Sequence, residues 1–440
     1  MKKLICLVLA LILLCSAAAS LAEQKEIDGK SKRNIKIHEA GLNPTAEEMI
    51  SQGISPTTGR NLDELSLTVP AGYLGTAMTG EYLPIMVQVS NSSNGFNTAE
   101  NIASNGDAYK TSPVNGEYAD IVYEVCQASN GTLTRMTMIY SDVLPDFVGY
   151  IRSTRYTHVR LRQEWGAIFL TSGYADYVLD EWTKYNVPNP MGANRGTDPG
   201  PVYVGGVGDN KPWRKYYSAL DGISDSNNKL YNLIGPGDQE SLDKGYYGLV
   251  LDEKALPKDK FQFPNHTWLF TDDIPEGGDD AEIIYVRFGH KYQTDSRLEY
   301  DPETKTYTRW VTVDGLNKDY PYSSTKLLNP KVYTTSEGPR TKSDRAPGPA
   351  ITFSNVIVQA IDMDWQGSEI PDPKLVGSGN ADYFMGGKHY AGVWQRKDIN
   401  SRTVYYDQNG EEIKLQRGRT LIILMNYSSV NSDKFTVKYE

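Results

Sequence analysis

Apolar residues along this chain follow two textures. From about residue 80 to 275, β-branched and aromatic runs alternate with helical spacing; from about 280 to 440, many short runs are broken by turn residues. Tyr82-Leu-Pro-Ile-Met-Val-Gln-Val89 reads as a strand, with Pro84 near its start where a missing donor is tolerated. Ile121–Cys126 and Thr132–Tyr140 flank Asn130-Gly131, the strongest short hairpin signal, because a type I′ turn needs positive φ at both central positions. With those two residues as the turn, Glu124 faces Thr137 and Cys126 faces Arg135. Glu124 and Arg135 then share a sheet face about 7–8 Å apart as diagonal neighbours, and an ion pair between them is expected.

Phe147–Ile151 reads as a third strand, leading into Arg152-Ser-Thr-Arg155-Tyr-Thr-His158 and a helix that Ser153 or Thr154 can cap. Ala167–Thr171 follows as a buried strand. Tyr174, Val178, Trp182 and Tyr185 then recur at helical spacing, and Trp213–Ile234 reads as a helix stopped by Gly235-Pro-Gly237. Strand and helix alternating after a hairpin predict an α/β (α+β) domain over 80–275, a mixed sheet layered with helices. Over 280–440 the expected strands include Ile283–Phe288, Tyr307–Val313, Ile351–Ile361, His389–Trp394 and Leu421–Met425, with turns at Gly386-Gly387 and Asn409-Gly410; this domain is mostly β. Asp314–Pro349, rich in Lys, Ser, Pro and Asp, reads as an exposed loop. Residues 23–79 are mostly polar and read as a tether, with one or two helical turns at Thr45–Gln52.

Met1-Lys-Lys, the apolar Leu4–Leu14 and Ser20-Leu-Ala22 have the three parts of a secretory signal, with cleavage expected after Ala22. Cys15 is the alternative, as a lipid-attachment site, although Leu14 is a poor residue to precede one. The apolar run is shorter than the roughly 20 residues that span a bilayer, so any membrane link is a tether. Of three cysteines, only Cys126 lies outside the leader, which excludes an internal disulfide and a multi-cysteine zinc site. The formal charge is −10, and the leader carries only Lys2 and Lys3, so a nucleic-acid partner is not expected. Thirty tyrosines and seven tryptophans fit a β-rich protein. The five histidines form no HxH, HExxH or Cys–His pattern, so neither a metal nor any other cofactor is expected.

Against the acidic background, Arg152, Arg155, His158, Arg160 and Arg162 form a local basic run. Arginines in a first helical turn have the wrong sign for the helix dipole, so a negative group should sit beside them. Glu124 would serve, giving an internal ion-pair network; so would a bound phosphate or carboxylate, since guanidinium forks match both in bidentate fashion. Glu124 with Asp120, Asp180 or Glu181 could instead supply a glycosidase's two acids, but an arginine beside Glu124 opposes the raised pKa a general acid needs. Ser153 lies in no Gly-x-Ser-x-Gly elbow.

Asp120-Ile-Val-Tyr-Glu124, Thr134-Arg135 and Gly149-Tyr-Ile-Arg-Ser-x-Arg155 resemble the ADiVYE, TRf and GpvRSaR segments of the YerB-like lipoproteins of Gram-positive bacteria. Tyr150 departs from the family's usual proline. Gly377-Ser-Gly, Gly387-Lys and Gly392-Val-Trp394, with Asn355–Gln359, resemble the family's second domain. The resemblance implies an exported envelope protein with two tandem domains and supplies no reaction. The combined expectation is an extracellular, cell-surface protein. It binds an anionic wall or membrane-surface ligand through Arg135, Arg152 and Arg155, with Ser153, Asp120 and His158 nearby and Glu124 fixing the arginine rotamers. The alternatives are a cell-wall hydrolase or phosphotransferase using the same pocket, and a scaffold for envelope synthesis whose Glu/Arg network is structural.

Overall fold

The computed structural model describes residues 24–38, 43–70, 75–76, 80, 82, 84–91, 113–127, 134–145, 147–149, 154–170, 176–185, 203–205, 215–218, 267–288, 295–313, 318–335, 338–365, 370–427 and 435–440. The first surprise is at the start. The segment expected to be a tether is folded onto the body. It begins with β1 (Lys25–Glu26), followed by α1 (Ala46–Ser51) and α2 (Leu62–Ser66). Thr45 caps α1 in a capping box with Glu48, and Asn61 caps α2. Sparse apolar residues suffice to hold it: Ile27, Ala46, Met49, Leu62 and Leu65 are all buried.

The next elements are β2 (Ile85–Asn91), β3 (Ile121–Cys126), β4 (Thr134–Tyr140), α3 (Tyr156–Trp165), β5 (Ile168–Leu170) and α4 (Leu179–Lys184). The later half supplies β6 (Ile283–Phe288), β7 (Ser296–Asp301), β8 (Thr306–Val313), β9 (Asn355–Ile361), β10 (Met363–Trp365) and β11 (Pro371–Pro373). It ends with β12 (Gly377–Met385), β13 (Lys388–Arg396), β14 (Thr420–Asn426) and β15 (Phe435–Tyr439). Gly386 and Gly387, both at positive φ, make the two-residue turn between β12 and β13, as the sequence predicts.

A ten-stranded mixed sheet runs β13-β12-β9-β14-β3-β4-β2-β5, with two short strands added beside β13. The two halves of the chain are woven together in it: β14 lies between β9 and β3, parallel to both. A seven-stranded sheet contains β1-β15-β6-β7-β8. The expected fold class holds, with mixed α+β character early and a strand-rich later half. The period of two along the strands sorts the core. Val122, Cys126, Met136, Met138, Leu421 and Ile423 face the seven-stranded sheet, whose Ile284, Val286, Leu298 and Val437 complete that layer. Ile121, Tyr123, Val125, Ile139, Ile422 and Leu424 face the other way, toward Leu161 and Trp165 of α3.

Two local expectations are overturned. Asp314–Pro349 is not a loop: Ser323–Thr335 pairs antiparallel with Gly338–Ala350, and Lys318–Pro321 pairs with β8. A ladder of main-chain bonds needs no apolar period, so the composition of this stretch hid it. Within the helix expected at Trp213–Ile234, Lys215–Ser218 is a strand paired with Tyr203–Gly205.

The folded N-terminal segment is fastened by a polar knot. Asp142 accepts from the Ser55 and Thr58 hydroxyls at 2.6 Å each; Asp120 accepts from the Thr57 hydroxyl at 2.9 Å and from the backbone N–H groups of Ser141 and Asp142 at 2.9 and 3.0 Å. Both carboxyls are buried. Burial, then the neighbouring Asp142, holds the Asp120 carboxyl well above the usual range; burial also raises Asp142, against its hydroxyl donors and Arg60. An acid whose folded pKa is raised contributes full stability below its unfolded pKa and loses it as pH rises through the folded value. Asp120→Asn is therefore expected to gain stability relative to wild type as pH rises above about 4, the range of an unfolded Asp, read as the difference in urea-unfolding free energy; a pH-independent difference would contradict this.

Candidate functional site

The hairpin register decides which arginines meet which carboxylates. Glu124 pairs with Met136, Val125 with Arg135 and Cys126 with Thr134, one residue away from the register a tight Asn130-Gly131 turn would impose. Those turn residues lie outside the described residues. A slip of one residue moves every side chain to the opposite face. The expected Glu124–Arg135 pair is therefore absent. Glu124 points between the two sheets, where Arg309 of β8 places Nη2 at 3.1 Å from both carboxylate oxygens and the Thr134 hydroxyl donates at 2.9 Å. Both side chains of the pair are essentially inaccessible, and the Arg309 guanidinium lies 4.6 Å from the Tyr322 ring centroid. Asp120 lies instead in the knot with Asp142.

Arg135 emerges on the opposite face of the sheet, the face that α3 covers. That helix starts at Tyr156, so the capping position is Arg155, not the expected Ser153 or Thr154. His158 stands at the third helical position, where Glu or Gln ordinarily reaches back, and its Nδ1 accepts from the Arg155 backbone N–H at 2.8 Å. An Nδ1 acting as acceptor makes the ring a neutral imidazole with its proton on Nε2. Burial pushes the His158 pKa well below its ordinary value, and Arg135 and Arg155 add to that shift. Tyr177, just before α4, feels the same two cations; burial raises its hydroxyl pKa while Arg155 and Arg135 pull it down. Its ring packs against Tyr156 in a tilted arrangement, centroids 4.9 Å apart. Arg135, Arg155, His158 and Tyr177 thus form one electrostatic cluster. Arg152 and Ser153, the other expected members, lie outside the described residues.

The later half of the chain clamps α3. Arg160 donates to Glu181 of α4 at 3.1 and 3.2 Å and to Asp372 at 2.6 Å. Glu164 accepts from the Thr403 backbone N–H at 2.9 Å and meets Arg396 at 3.1 Å, both charges being buried. The Arg402 guanidinium stacks 3.5 Å from the Trp165 ring centroid. Near the helix end, Arg162 donates to the Ala167 carbonyl at 3.1 Å, and burial lowers its pKa to about 10. A helix tied at four points holds Arg155 and His158 at fixed positions. Sequence reasoning missed Tyr177 and the far-off partners Arg309, Arg396 and Arg402, because none lies at a motif spacing from α3.

Chemically the cluster is a set of donor groups, two guanidiniums, an imidazole and a phenol, of which Arg155 already gives one N–H to the Thr154 carbonyl at 2.8 Å. Among the described residues, no group of three or more His, Cys, Asp or Glu side chains could hold a metal ion. What this defines is a β-rich α+β protein with an internal basic cluster beneath a clamped helix. Two family models match it in tandem, DUF3048 at residues 113–229 and the DUF3048 C-terminal domain at 284–422, both described as of unknown function. The chain belongs to the YerB-like family that carries these two domains. It is similar in fold to the crystal structure of YerB protein from Bacillus subtilis, with TM-score 0.52 and 17% identity, over 87% of this chain and 99% of that one. No curated protein matches. The first family segment contains Asp120, Glu124, Arg135, Arg155 and His158; the second contains Arg309, Arg396 and Arg402.

Proposed function

We propose that this chain is an exported cell-envelope protein that binds an anionic ligand, a phosphate- or carboxylate-bearing glycan or lipid-linked precursor, at Arg135, Arg155 and His158. One observation carries the reading: Nδ1 of His158 accepts from Arg155, so the neutral ring presents its N–H beside two guanidinium groups, while the expected counter-charge, Glu124, is engaged by Arg309 on the other face. A cluster of donors matches phosphate and carboxylate oxygens. Arg152 and Ser153 are proposed as further contacts, from their places just before the helix. The charged and apolar leader supports export.

The test compares wild type and Arg155→Ala for retention on purified Gram-positive cell walls. Arg155 is only half-buried, so the melting temperature should change little while retention falls about tenfold. Unchanged retention together with a lowered melting temperature would assign the arginine to structure alone.

A further inference from the structure

A second site lies far along the same sheet, where β9 and β12 separate. Their antiparallel ladder ends at Gln359 opposite Ala381, and the continuing β10–β11 hairpin resumes with Met363 opposite Pro373. Between those pairs, residues 360–362 stand opposite residues 374–380, so the second strand bulges away from the first. Its outer edge stays paired with β13 down to Gly377 opposite Arg396. The inner edge, Gly377-Ser-Gly379, has no ladder partner among the described residues. Bulges of this kind terminate pairing and open sheet edges beside sites of function.

The result is a groove of about 510 Å³. Lys30, Lys32 and Lys374 line it against a single lining carboxylate, Asp362, and Tyr427 lines it too. Lys374 is committed to Asp364 and Asp372 at 3.1 and 2.9 Å. Lys30 and Lys32 are exposed and form no ion pair among the described residues. Tyr427 is 7% exposed, and its buried hydroxyl has no hydrogen-bond partner among the described residues. An orphaned buried phenol calls for an explanation, and a ligand acceptor supplies one. The two glycines of this edge stand in different surroundings, Gly377 beside open space and Gly379 packed under Trp394 and the Ala360 carbonyl. Gly377 sits at φ +125° with open space where a Cβ would point, and a Cβ on Gly379 would meet the Trp394 indole nitrogen at 2.6 Å. That indole instead donates to the Ala360 carbonyl at 2.7 Å, closing the end of the groove.

We infer that this groove takes an extended acidic peptide, laid against the Gly377–Gly379 edge as an added strand, with a carboxylate toward Lys30 and Lys32 and an acceptor at the Tyr427 hydroxyl. The unpaired edge favours a peptide, because main-chain bonding supplies the affinity in strand addition and glycines let a second backbone approach closely. The two unpaired lysines set the charge of the partner. This site is separate from the Arg135 cluster and does not rest on it.

The test is fluorescence anisotropy of the full chain with a labelled peptide of alternating Glu and Val. Lys30→Glu/Lys32→Glu should weaken binding about tenfold or more. Tyr427→Phe should weaken it about three- to tenfold. N-methylation of alternate peptide amides should also weaken it about tenfold or more, because it removes the edge bonds. Both lysines are exposed, so the charge-reversed protein should melt as wild type does. Absence of binding, indifference to the lysine reversal, or equal affinity for the N-methylated peptide would each overturn the inference. Equal competition by a polyglycerol phosphate of the same charge would assign the groove to an anionic polymer and overturn it too.

Discussion

Arg309→Met is expected to lower unfolding free energy by about 3–5 kcal/mol, among the largest losses from any single substitution, because it leaves Glu124 buried and uncompensated. The pair spans the two sheets, with Glu124 from β3 and Arg309 from β8, and neither side chain reaches water. Its value as a pair is a different matter. Removing two charges from water opposes their attraction, so replacing both by apolar residues of similar size is expected to be far milder. The double variant Glu124→Leu/Arg309→Met should recover most of the loss in urea unfolding. If the double variant is as unstable as the single one, the pair contributes net stability and this account of the sheet interface is wrong.

The second large effect concerns the N-terminal knot. Ser55→Ala with Thr58→Val removes both 2.6 Å hydroxyl donors from Asp142 while keeping side-chain volume nearly constant. A hydrogen bond lost from a buried acceptor costs about 1–3 kcal/mol, so the pair of substitutions should cost about 2–5 kcal/mol. Limited proteolysis near residues 60–70 should accelerate in parallel, since this loop fastens the segment. Two neighbouring contacts share the load: Gly418 donates its backbone N–H to the Thr58 carbonyl, and Gly59, at φ +65°, lies where a Cβ would strike Phe270. A stability change below about 1 kcal/mol would mean those contacts hold the segment without the hydroxyls.

Both predictions involve features that local pattern could not reveal. Strands β3 and β4 were legible because their β-branched and aromatic runs are dense, and the Gly386-Gly387 turn because its chemistry admits one geometry. The register of the β3–β4 hairpin was not. The letters Asn-Gly do not by themselves fix which residues pair across a hairpin, and a one-residue difference in register put Glu124 and Arg135 on opposite faces. Arg309 is separated from Glu124 by 185 positions, so no spacing rule links them. The segment before residue 70 looked like a tether because it is anchored by hydroxyls and a few apolar residues, and such anchoring leaves no periodicity. For the basic cluster, the run from Arg152 to Arg162 was visible in the sequence. What the sequence could not supply was the partner face. Arg135 joins Arg155 and His158 through the register that separated it from Glu124.

We propose that His158, beside Arg135 and Arg155, keeps a neutral ring with its proton on Nε2 and gives that proton to a bound anion. A long-range proton–nitrogen spectrum of the histidines, with and without inorganic phosphate or wall-polymer fragments, measures this directly. The account predicts an unprotonated Nδ1 and a protonated Nε2 for His158 at pH 7, with the Nε2 resonance moving on titration and not moving in Arg155→Ala. A charged ring, the opposite tautomer, or a resonance indifferent to saturating anion would contradict it.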